Sequence, residues 1–202
     1  NADLSLAKLV GACVDGASFE AAILAGTDLS GVRLHKASLV GAHMHGAVLC
    51  GAILDGLEAP LLDLESARLD DASLTAARLS GARLLRASLR GARLANIDLE
   101  GADLREVDFS RASFHLGSSR SGLLESPIAS EGTRTGFYDD ERAAPHFRPP
   151  EAMRAANLRA ADLRGAIVSN ADFYLVDLRG ARMTDDQLAH FRVCRAILDH
   201  AD

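Results

Sequence analysis

His43, Met44 and His45 form the sharpest chemical cluster in the chain, and Asp63 and Glu65 follow twenty residues later. Imidazoles and carboxylates are the donors that hold Zn²⁺ and related metals. If the chain coils with a period of twenty, His43 stacks beside Asp63 and His45 beside Glu65. Two imidazoles and two carboxylates would then share one patch and form a candidate metal site. The competing reading is a pair of oppositely charged neighbours decorating a face. On that reading the chain needs neither metal nor cofactor.

Other residues with chemical potential recur too regularly to mark a single site. Aspartate precedes an apolar residue at Asp3, Asp28, Asp63, Asp98, Asp103, Asp108, Asp162, Asp172 and Asp177. Repeated carboxylates invite an acid/base reading, but Asp at a turn also satisfies nearby backbone N–H groups. Glycines at Gly11, Gly16, Gly26, Gly31, Gly41, Gly46, Gly51 and Gly56 lack the strand, loop and helix context of a phosphate cradle. Corners that need positive φ explain them. Arg68, Arg78, Arg83, Arg86, Arg90 and Arg93 crowd a short stretch among Asp63, Glu65, Asp70, Asp71, Asp98 and Glu100. They read as a solvated salt-bridge lattice, with a patch for an anionic partner as the sharper alternative. No Ser/His/Asp or Cys/His arrangement falls together, so no catalytic residue is assigned and the chain is not expected to be an enzyme. Any activity would have to lie near His115 and His146.

The element that positions these residues has a period of five. Leu or a substitute recurs every five residues from Leu4 to Phe114, with Ala two places earlier. The central position is Leu in 17 of 23 repeats and the earlier one is Ala in 17 of 23, so a large and a small inward residue alternate. Five is neither a strand nor a helix period, and on either element the leucines would spray outward. A quarter turn per pentapeptide sends every leucine to one axis, and four pentapeptides close a coil of 20 residues. Fixed-period self-similarity of this kind marks a solenoid. Leu57-Glu58-Ala59-Pro60-Leu61 exchanges the large and small slots, a nearly volume-conserving change. It puts Pro60 at an outward corner that tolerates a missing N–H.

The string Ala-Asp/Asn-Leu, as in Ala2-Asp3-Leu4, Ala102-Asp103-Leu104, Ala161-Asp162-Leu163 and, with Phe for Leu, Ala171-Asp172-Phe173, resembles the pentapeptide repeat family. The resemblance covers about 160 of 202 residues and 32 copies. It implies an all-β fold, a right-handed quadrilateral parallel β-helix of about eight coils, interrupted by one long insertion. Coils about 4.8 Å apart would make a rod of about 38 Å.

Three parts are expected. Residues 1–116 form a first β-helical block. Residues 117–155 break the period with four of the five prolines and fold back over one face of the rod, anchored by Phe137, Tyr138 and Phe147. These aromatics are the candidate partner-binding residues. Residues 156–202 form a second block whose nine pentapeptides complete a whole number of coils, so the chain should resume on the next face. There Asp186 fits an inward slot poorly, and Thr184-Asp185-Asp186-Gln187 matches a capping box. A short helical turn near 185–190 competes with a full terminal helix, while Phe191/Val193 and Ala196/Leu198 keep the frame.

Composition sets further bounds. Net charge is −6, and residues 1–61 hold 6 acids against 3 bases. No basic stripe invites nucleic acid, and no stretch approaches the 18 or so apolar residues of a membrane span. Cys13, Cys50 and Cys194 have no metal or redox spacing and read as free thiols in a reducing compartment, the bacterial cytoplasm. The start at Asn1-Ala2-Asp3 has neither Met nor signal peptide. It reads as a cut within a larger protein, with Asn1 as a tag remnant. The function expected is a non-catalytic protein–protein interaction module, its partner of unknown identity. The resemblance implies two alternatives. One is a DNA mimic that binds gyrase, as the quinolone-resistance members do. This chain departs from them in its Leu and Ala interior, its mixed outward charge and the lack of an evident dimerisation helix. The other is a domain of a secreted bacterial effector. Open solenoid ends invite end-to-end homodimerisation.

Overall fold

The computed structural model describes residues 2–115 and 156–199. Phe137, Tyr138, His146 and Phe147, singled out above, lie outside the described residues.

The chain winds as a solenoid in which parallel bridges join residues twenty apart. Four ladders result. Face I carries Asp3, Ile23, His43, Asp63, Arg83, Asp103, Asp162 and Arg182. Face II runs from Lys8 to Ile167, face III from Cys13 to Asp172, and face IV from Ser18 to Ile197. The frame passes from Ser113 on face III to Asn157 on face IV, where Asn157 bridges Asp98. The coil therefore resumes on the next face after the interruption.

A backbone account explains the repeat. Call the central residue i. The N–H of i and of i+2 donate to carbonyls of the next coil, as Leu24 does to His43 (2.7 Å) and Gly26 to His45 (2.9 Å). The N–H of i−1 donates to the previous coil, as His43 does to Ala22 (2.9 Å). The N–H of i−2 closes the corner, as Ala47 does on Met44 (3.0 Å). Only the N–H of i+1 lacks a backbone role in this scheme. A buried or half-buried N–H left alone is costly. An Asp or Asn at i−1 accepts it through Oδ1, as at Ser5 (2.9 Å), Ser110 (2.8 Å), Arg159 (3.1 Å) and Tyr174 (3.1 Å). That is why aspartate precedes the core leucine. It also explains Pro60, which sits at i+1, where a missing N–H removes no rung.

Position i+2 has positive φ at each corner of the first block, from Leu6 (60°) to Arg111 (65°). Glycine fills many of these corners because it adopts αL without a Cβ penalty. Leu61 and Arg86 hold the same geometry at 61° and 58°. Side chains i and i−2 line the axis and form one continuous buried column from Phe19 to Leu178, with Leu4, Leu9 and Val14 half-buried at the first coil. Towards the C-terminus the column turns aromatic, with Phe109, Phe114 and Phe173 at ring-centroid distances of 4.7–6.0 Å.

The ladder has one fault among the described residues. No bridge joins Ser38 to Glu58 on face IV, although both flanking rungs, Ser18 to Ser38 and Glu58 to Arg78, are present. Leu57 and Leu62 occupy small-residue slots on either side of Ala59. The missing rung thus lies beside the large-for-small exchange that the sequence reading expected to be near-neutral.

The last coil is closed by helix α1 (Asp185–Val193). It replaces two sides of a coil and runs beyond the expected 185–190. Thr184 caps it: Gln187 N–H donates to Thr184 Oγ1 (3.3 Å) and Thr184 N–H to Gln187 Oε1 (2.9 Å). Gln187 Nε2 donates to Leu163 O (2.7 Å) and Ala166 O (3.0 Å). A side chain thus supplies the rung that the absent strand would have made. Phe191 stacks on Phe173 at 4.8 Å and is fully buried. Two readings of the sequence are corrected here. Asp186 is exposed on α1 rather than inward, and Phe191 and Val193 are helical, so Val193 points to solvent. The five-residue frame returns only at Ala196-Ile197-Leu198, where Ile197 bridges Asp177.

Candidate functional site

His43, His45, Asp63 and Glu65 do share face I, with His43 bridged to Asp63. The carboxylates are already engaged from the other side. Arg83 reaches Glu65 at 2.8 Å and Asp63 at 3.8 Å. A cation would have to displace a guanidinium that the coil holds in place. Among the described residues, no three His, Cys, Asp or Glu groups converge to hold a metal ion.

Charged side chains on the lateral faces pair along the ladders. Arg78 meets Glu58 (3.0 Å), Arg86 meets Glu106 (3.2 Å) and Arg90 meets Asp108 (3.2 Å). Serines join the lattice: Ser73 Oγ donates to Asp55 (2.6 Å), Ser38 Oγ to Glu20 (3.0 Å), and Ser88 Oγ to Asp70. Three Asp-Leu-Arg repeats make local forks. Arg105 donates to both oxygens of Asp103 (2.7 and 2.7 Å), Arg164 to Asp162 (2.9 and 2.6 Å), and Arg179 to Asp177 (2.9 and 2.6 Å). Those bonds hold the three carboxyls below the ordinary aspartate range. The same guanidiniums are held above theirs by the same bonds. Asp3 and Asp28 are lowered chiefly by hydrogen bonds from the side chains of Ser5 and Ser30. At Asp108 burial pushes the pKa up, but Ser110 and Arg90 outweigh it. The lattice neutralises charge locally, and such surface pairs contribute little stability individually.

Three surface features stand outside this lattice. The first is an apolar corner between faces IV and I. Val40 is 58% exposed and Leu61 76% exposed; Pro60, next to Leu61 in sequence, and Ile23, on the adjoining face I, are exposed too. The corner coincides with the ladder fault between Ser38 and Glu58. Its signal in the sequence is the run of apolar residues in outward slots at Ile23, Val40, Pro60 and Leu61. The second lies on face III. Ser73, Ala95 and Tyr174 occupy outward positions there and are nonetheless buried. The third is the contrast between the ends: α1 covers the C-terminal coil, whereas the first coil shows Leu4, Leu9 and Val14 half-exposed. The three cysteines are free thiols. Cys194, the C-cap of α1, lies 3.5 Å from His190 Nε2.

A rigid rod with a packed axis, a charge-paired wall and a few apolar openings defines a class of repeat proteins that display surfaces. The family profile for pentapeptide repeats matches eight copies, across residues 2–39, 27–57, 67–105, 82–116 and 153–185. This is more than half of the chain, so the chain belongs to the pentapeptide repeat family, whose fold is a right-handed β-helical solenoid. Solved structures similar to it include a pentapeptide repeat protein of the Arabidopsis thaliana thylakoid lumen, at 24% identity and TM-score 0.34, covering 60% of this chain and 73% of that one. HetL, a pentapeptide repeat protein involved in heterocyst differentiation regulation in the cyanobacterium Nostoc, is similar at 24% identity and TM-score 0.29, covering 89% of this chain and 71% of that one. The plasmid-mediated fluoroquinolone resistance protein QnrB1 is similar at 16% identity and TM-score 0.33, covering 95% of this chain and 96% of that one. No curated protein matches the sequence. Among the described residues, no helix is long and apolar enough to cross a membrane.

Proposed function

We propose that this chain is a non-catalytic protein–protein interaction scaffold whose rod presents fixed surfaces to a protein partner. The observation that carries the reading is the apolar corner of Ile23, Val40, Pro60 and Leu61, set in a wall where many of the charges pair along the ladders, as Arg78 does with Glu58 and Arg90 with Asp108. Apolar groups clustered beside a polar rim favour protein contact. Among the described residues many of the ladder carboxylates, including Asp63, Asp103, Asp108, Asp162 and Asp177, are engaged by arginines, which weighs against a DNA-mimicking surface. Residues 117–155, with Phe137, Tyr138 and Phe147, are a second candidate contact element.

The test uses affinity capture from cells of the source organism. The full chain, a chain lacking 117–155 and a Val40→Asp/Leu61→Asp variant are compared. Loss of a specific partner in either altered chain supports the reading and says which surface binds. Partners that persist unchanged in both remove it. In a gyrase supercoiling assay the scaffold reading expects no relief of quinolone inhibition.

A further inference from the structure

We propose that two copies of this chain associate side by side and antiparallel through the apolar corner between faces IV and I, about a dyad midway between Val40 and Pro60. The inference rests on the reading of that corner as a protein contact and names a second copy as its occupant. A dyad requires a self-complementary patch, and two features of the corner supply one. The first is relief. The corner column runs Ala21, Gly41, Leu61, Gly81, so Leu61 stands as a single knob, 76% exposed and leaning over Gly81. The second is a pair of open backbone groups. A regular corner joins the N–H at i+2 to a carbonyl of the next coil, as Gly26 joins His45 (2.9 Å) and Leu61 joins Ser80 (2.9 Å). At the missing rung, Gly41 N–H and Pro60 C=O make no backbone hydrogen bond among the described residues. Both residues are exposed.

A dyad across the corner, perpendicular to both rods, keeps face IV against face IV and face I against face I. Midway between Val40 and Pro60 it sets Val40 opposite Pro60 of the partner subunit, twice by symmetry. Leu61 then enters the shallow trough of the partner's Gly41 and the partner's Ala21. Peptide 40–41 lies opposite peptide 60–61 of the other copy, so an open donor faces an open acceptor in both halves. On face I, His43 comes opposite Asp63 of the partner subunit, and Ile23 opposite Arg83 of the partner subunit, a residue type with an apolar stem. At the outer end Asp3 meets Asp103 of the partner subunit, a position whose charge Arg105 offsets within each chain through both carboxylate oxygens. Other registers fit less well. Centred on Pro60, the dyad opposes Glu58 to Glu58 of the partner subunit and Asp63 to Asp63 of the partner subunit, and like charges directly opposite are unfavourable. Centred on Val40, it sets Ile23 against Asp63 of the partner subunit. Midway between Pro60 and Ser80, it sets Val40 against Glu100 of the partner subunit. Parallel rods would lay Pro60 on Asp63 of the partner subunit. Each of the last three puts an apolar group against a carboxylate.

Sedimentation velocity of the full chain over a concentration series tests it. The expected result is a mass rising towards the dimer. Leu61→Asp removes both knobs of a dimer and should weaken association about tenfold or more. A second measurement mixes a Glu20→Cys chain with a Ser80→Cys chain, both in a Cys13→Ser/Cys50→Ser/Cys194→Ser background. The dyad sets Glu20 opposite Ser80 of the partner subunit, whereas along one rod the two positions lie three rungs, about 14 Å, apart. Mild oxidation should therefore link the two kinds of chain to each other and neither to itself. A chain that stays monomeric throughout, a Leu61→Asp chain that associates as well as the parent, or mixed chains that link no more often than like chains would each overturn the proposal. If the chain is monomeric while Val40→Asp/Leu61→Asp still loses a partner captured from cells, this proposal falls and the scaffold reading stands.

Discussion

Truncating one leucine on each side of a single coil separates an axial column from any flatter arrangement. Leu64, Leu69, Leu74 and Leu79 succeed one another on faces I to IV, and each is at most 1% exposed. Leu→Ala removes three carbons beyond Cβ. At about 0.8 kcal/mol per buried CH₂ the transfer loss is roughly 2.4 kcal/mol. The void left in a column that cannot collapse raises the total to about 3–5 kcal/mol. Since all four side chains meet the same axis, the four losses should agree within about 1 kcal/mol, a spread well inside the usual context dependence of such losses. Leu61→Ala, on the surface of the same region, should change stability by less than about 0.5 kcal/mol. Urea unfolding followed by far-UV circular dichroism measures all five. If one or two of the four core changes cost no more than Leu61→Ala, those leucines do not share an axis and the reasoning fails.

Three further outcomes follow from the wall, the cap and the corners. Asp103, Asp162 and Asp177 have folded-state pKa values below their reference of 3.8. Their contribution is complete above that value and is lost as pH falls through the folded values. The melting temperature should therefore hold from neutral pH to about 5 and decline modestly below about 4; a flat profile down to the acid limit would contradict the pairing. Gln187→Ala leaves Leu163 O and Ala166 O without their side-chain donor and should cost about 1–3 kcal/mol, with hydrogen exchange rising first in α1. Gly51, at φ 65° with open space around its Cβ position, should lose about 1 kcal/mol on Gly51→Ala from αL strain alone, read as a lowered urea midpoint.

Much of this architecture was legible because the repeat is a backbone device. The Ala-x-Leu spacing alone demanded a common axis, and Asp at i−1 follows from the one N–H that the coil leaves over. Thr184 and Gln187 announced α1. Its length was not announced, since Phe191 and Val193 satisfy the five-residue frame and a helical one equally. The frame lost because Gln187 and Phe191, four apart, reach the core together from a helix. The missing rung between Ser38 and Glu58 was hidden, since the exchange at Leu57 and Ala59 conserves volume as a pair. The period of twenty puts His43 beside Asp63 on face I. What the sequence did not show was Arg83, a coil further on, holding both carboxylates.

Distance along the rod tests the central claim most directly. Lys8 and Ile167 lie six rungs apart on face II, which places their backbones about 29 Å apart despite the long sequence between them. Spin labels at these two positions, in a background with the native cysteines replaced, should give one narrow distance near that value by double electron–electron resonance, allowing for the label arms. Labels at Lys8 and Arg68, three rungs apart, should give about half of it. Broad distributions, or distances that do not scale with the number of coils, would contradict the four-sided coil.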